Sequence, residues 1–73
     1  MRSLKEDLIR LVETELDYCK EFCKTNKEIL ISKNRVYGMI TLAFNHAPEL
    51  DEELWDWWEN ILAQYNELIS QYS

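Results

Sequence analysis

The 73-residue chain has one glycine, one proline, one histidine and two cysteines, and past position 35 it has no lysine or arginine. Each scarcity excludes something. Gly38 and Pro48 alone are too few breakers for a linker or a disordered tail, and nearly half of the residues are hydrophobic. No apolar run approaches the roughly 20 residues that cross a bilayer, and the longest, Val36 to Phe44, contains Gly38 and Thr41. The opening Met1-Arg2-Ser3-Leu4-Lys5-Glu6-Asp7 scatters charge where an export signal needs an apolar segment. A cytoplasmic protein with reduced thiols is therefore the expectation, with no membrane partner.

The missing cations divide the chain. Residues 1 to 35 carry eight bases and seven acids, net +1, and residues 36 to 73 carry seven acids and no base, net −7. Phosphate binding needs Lys and Arg to displace counterions, so nucleic acid is not expected as a partner. Three short helices are also the frame of many DNA-binding domains, but the third helix here would present carboxylates to the groove.

Catalytic and metal chemistry lack their usual parts. There is no phosphate-cradling glycine loop, no nucleophile elbow and no HExxH, and His46 has no evident co-worker. Cys19 and Cys23 point to one face of a helix, yet a closed zinc site needs two further ligands and only one histidine exists. The reading is a non-enzyme with no catalytic residues, no metal and no cofactor, its cysteines acting as small buried hydrophobes.

What is present is helical periodicity over one domain, 1–73. Ser3 with Glu6 forms a capping-box pattern, after which Ile9, Val12, Leu16, Cys19 and Cys23 recur at three- and four-residue spacing. Leu4, Leu8, Leu11 and Phe22 broaden that stripe. The pattern falters at Thr25 and Asn26, where Thr25 with Glu28 offers a second capping box and Ser32 a later N-cap. Val36, Tyr37, Met39, Ile40, Leu42, Ala43 and Phe44 leave hardly any polar face, more apolar surface than a three-helix bundle covers. Pro48 separates this helix from the next, for which Asp51 is the expected N-cap. Trp55, Trp58, Leu62, Tyr65, Ile69 and Tyr72 then form the most regular stripe, widened by Leu54, Ile61 and Leu68.

The expected fold is all-α, a small three-helix bundle with helices at about 3–24, 28–46 and 51–71, completed by oligomerisation. The oligomer interface is expected at Tyr37, Gly38 and Leu42, with Gly38 admitting a close helix approach. Trp57 falls opposite part of the third stripe and stands among acids. Together with Glu52, Glu53, Asp56 and Glu59 it is the expected partner-binding patch, since Trp is over-represented at binding hot spots. The first-turn acids also suit the helix dipole, an effect that fades before Asp56 and Glu59. The function expected is a self-associating protein-interaction module that presents this acidic, Trp-containing face to a protein partner. The alternative is an acidic nucleic-acid mimic that inhibits a DNA- or RNA-binding enzyme.

Overall fold

Helix α1 (Leu4–Phe22), helix α2 (Asn26–His46) and helix α3 (Glu49–Tyr72) make up the protein in a computed structural model that describes residues 3–72. Met1, Arg2 and Ser73, the ends of the expected domain, lie outside the described residues. The class is as expected: three helices joined by tight turns, with no strand among the described residues.

Each boundary has a chemical cause. Ser3 is extended and its hydroxyl accepts from the Glu6 backbone N–H at 3.1 Å, which satisfies one of the amides that a helix start leaves unpaired. α1 ends at Cys23, whose N–H donates to the Cys19 carbonyl at 2.9 Å before the chain turns extended. Of the two candidate starts for α2, the Thr25 box is used. Thr25 Oγ1 accepts from the Glu28 N–H at 3.2 Å, while the Glu28 carboxylate accepts from the Lys24 N–H at 3.3 Å. Ser32 is no cap but a buried residue inside α2. The α3 expectation is corrected too. Its first residue is Glu49, not one following Asp51, because the Ala47 and Pro48 carbonyls accept from Leu50 and Asp51 at 2.9 and 3.1 Å and open the helix early.

The core is one seam per helix. Leu8, Val12, Leu16, Cys19 and Cys23 meet Ile29, Val36, Ile40 and Ala43 of α2 and Leu50, Leu54, Trp58, Ile61 and Tyr65 of α3. Both cysteines are free thiols in this seam. The residues expected to broaden the α1 stripe behave differently: Leu8 is buried, but Leu4, Leu11 and Phe22 are exposed. An apolar face that wide cannot all turn toward two neighbouring helices.

Across the α1–α3 side the chain uses long polar side chains. Lys5 Nζ pairs with Glu53 at 3.5 Å, Lys20 Nζ donates to Gln64 Oε1 at 2.7 Å, and on the α2 side Lys33 Nζ donates to Asn66 Oδ1 at 3.1 Å. The bases of the first half thereby reach onto the acidic helix. Exposed pairs of this kind contribute little stability each, about 0–1 kcal/mol, so burial carries the fold.

Gly38 does not serve a close approach within the chain. A Cβ added there meets no atom within 4 Å, so Gly38 bears the cost of glycine inside a helix without an intramolecular return. Gly38→Ala is expected to stabilise the isolated chain by about 1 kcal/mol. A higher urea midpoint, read at a protein concentration too low for association, checks this.

Candidate functional site

The outer face of α3 over its first turns is dominated by the exposed carboxylates Glu49, Asp51, Glu52, Glu53, Asp56 and Glu59. The structure exchanges the roles expected of two tryptophans. Trp57 is half-buried, packs against the core and donates its indole Nε1–H to Glu13 Oε1 of α1 at 3.3 Å. Trp55, expected within the buried stripe, is 49% exposed. The cause is angular: Trp58, Leu54 and Ile61 already define the seam toward the core, and residues 55 and 57 fall on opposite edges of it.

The exposed indole among carboxylates is therefore that of Trp55. Asp51 and Glu52 lie four and three residues before it and Glu59 four after, which are the spacings that place side chains side by side on a helix. All three are exposed, as is Asp56 beside it. Glu53 turns instead toward α1, where it meets Lys5. Of the expected patch, then, Glu52, Asp56 and Glu59 share the open surface with Trp55, while Trp57 and Glu53 are engaged in holding α1 to α3.

The expected interface residues on α2 also separate. Tyr37 is exposed on the α3 side and meets Trp58 edge-on, with ring centroids 5.6 Å apart at 72°. Leu42 lies on the α1 side, in an apolar depression shared with Leu4, Leu11 and Met39, and Gly38 faces open space.

A polar chain that periodicity did not mark as functional runs from the buried Tyr65 and Ser32 out to Glu15 and the exposed Arg35. The Ser32 hydroxyl donates to Glu15 Oε2 at 3.1 Å, so the 2.9 Å contact with Tyr65 has the tyrosine hydroxyl as donor. Arg35 Nη1 stands 3.6 Å from the other Glu15 oxygen. Its signal in the sequence is Ser32 itself, a hydroxyl in phase with Ile29, Val36 and Ile40. Burial pushes the Tyr65 hydroxyl up to about 12 and, with help from Cys23, the Cys19 thiol up to about 11. At neutral pH Cys19 is a protonated thiol, a poor nucleophile, and sealed from solvent.

No group of three or more His, Cys, Asp and Glu among the described residues is arranged to hold a metal ion. Among the described residues no helix is long and apolar enough to cross a membrane. The chain matches no family model, and neither a curated protein nor a solved structure matches it.

Proposed function

We propose that this protein is a non-enzymatic, self-associating interaction module that presents the acidic outer face of α3 to a protein partner. The supporting observation is Trp55, a large amphipathic ring half exposed at the centre of Asp51, Glu52, Asp56 and Glu59. Folding supplies no evident reason for that placement, whereas desolvating an indole within a charged surround is how hot spots bind. The carboxylate field favours a basic partner surface and speeds its approach. The two free, buried thiols fit a reducing cytoplasmic setting, which belongs to the same proposal.

Paired baits test the reading in the native host's extract. Trp55→Ala is expected to lower capture of the partner by about 30-fold, the scale of a 2 kcal/mol hot spot. Trp57→Ala is expected to weaken the α1–α3 packing more than partner capture. Equal recovery by wild type and Trp55→Ala would contradict the proposal. The exposed acids also keep the nucleic-acid-mimic reading specific: among the described residues, only Glu53 of the α3 acids meets a cation. That reading requires Glu52→Lys and Asp56→Lys to outweigh Trp55→Ala, with steep salt sensitivity.

A further inference from the structure

A second face is left open on the side of the α1–α2 pair that α3 does not cover. Leu4, Leu11 and Tyr18 of α1 stand seven residues apart, which keeps them in one line on a helix. Ile31 and Leu42 of α2 face the same groove, and Met39 lines its middle. Apart from Met39 each of these is between 46% and 60% exposed. Two depressions of about 360 and 370 Å³ lie along the groove, and every residue lining them belongs to α1 or α2. In the middle of this apolar seam stands the ion pair Glu15–Arg35, and Asp7 at its leucine end pairs with Arg10 of its own helix.

We infer that the α1–α2 groove is the docking site for the same groove of a second copy of this chain, forming an antiparallel four-helix layer with the α3 helices outside. This rests on the reading of the chain as a self-associating module, and charge selects the occupant. Residues 3 to 46 hold seven bases and seven acids, net zero, while α3 holds seven acids and no base. Pairing through α1 and α2 joins two neutral layers and keeps the two acidic helices on opposite outer sides. Pairing through α3 would set net −7 against net −7.

Self-complementarity fixes the arrangement further. A two-fold axis in the interface, parallel to the helices, lays α1 of one copy over α2 of the other. Residues level with one another within the chain are then level between chains. Glu15 of each copy crosses Arg35 of its partner, and the leucine end meets the leucine end. Every neighbouring helix pair is antiparallel, as the helix dipoles prefer. The alternative axis, across the helices, would stack α1 on α1 and α2 on α2, without this matched crossing of acid on base. The area suffices as well. A standard interface takes about 800 Å² from each partner, roughly one sixth of the 5078 Å² surface, and two helices side by side over about 28 Å provide it.

Light scattering on the full chain at about 100 µM tests the inference, at low and at high salt, with far-UV circular dichroism on each variant. Wild type is expected at twice the 8.8 kDa chain mass, with little salt dependence. Leu11→Glu and Leu42→Glu each place a charge in the seam and are expected to raise the dissociation constant by about 100-fold or more while remaining helical. Both positions are exposed in the single chain, so the core is untouched. Trp55→Glu, on the other face, is expected to remain dimeric. A wild type that stays monomeric overturns the inference together with self-association, leaving Trp55-dependent partner capture as a separate matter. A dimer that survives both groove substitutions, or that Trp55→Glu dissociates, overturns the groove alone.

Discussion

Trp58→Ala is expected to leave the dilute chain largely unfolded at room temperature. Trp58 is the largest residue of the core and 5% exposed, with Tyr37 edge-on against it. Replacing such a ring by a methyl group removes its transfer free energy and leaves a void, together costing about 3–5 kcal/mol. A core in a chain of this length supplies about 3–5 kcal/mol in total, so the loss matches the whole margin. Trp58→Phe keeps the edge contact and most of the volume, and should restore a cooperative thermal transition. A Trp58→Ala protein that melts cooperatively within a few degrees of wild type would mean that α2 and α3 are held by something other than this seam.

The second large effect is expected at Ser32. Its hydroxyl links Tyr65 to Glu15, and Tyr65 is fully buried. Ser32→Ala strands the tyrosine hydroxyl with no water to replace its partner, at a cost of about 1–3 kcal/mol. Tyr65→Phe costs less, because Ser32 keeps its bond to Glu15. The double variant leaves no stranded hydroxyl and should be less destabilised than the two single effects added together. Urea denaturation of the four proteins reads the coupling. Strict additivity would mean that the Ser32–Tyr65 contact contributes nothing to the fold.

How far the residues alone could go is clearest at these same positions. The three helices, the Ser3 and Thr25 caps and the core seam from Leu8 to Cys23 follow from periodicity and local hydrogen-bond chemistry, which are sequence-local. The α3 patch was legible as a region but not as a residue. Trp55 and Trp57 both border the stripe, and only the position of α1, which draws the Trp57 indole to Glu13, decides which one is exposed. The same holds for Leu4, Leu11 and Phe22. Their spacing says that the α1 stripe is wide, but two neighbouring helices cover only part of it, and Leu4 and Leu11 of the uncovered part line the groove. Ser32 looks in sequence like a helix cap and proves to be a core hydroxyl, because the Thr25 box starts α2 earlier and Tyr65 supplies the partner from another helix.

Two surfaces thus divide the molecule: an acidic, Trp55-centred face on α3, and a neutral apolar groove on α1 and α2. The claim that they do different things is tested most directly by following backbone amide NMR shifts as the protein is concentrated. Concentration-dependent shifts should gather at Leu4, Leu11, Tyr18, Ile31 and Leu42, with Trp55 and its neighbouring acids unmoved. Shifts that gather along α3 while the groove stays silent would contradict the account.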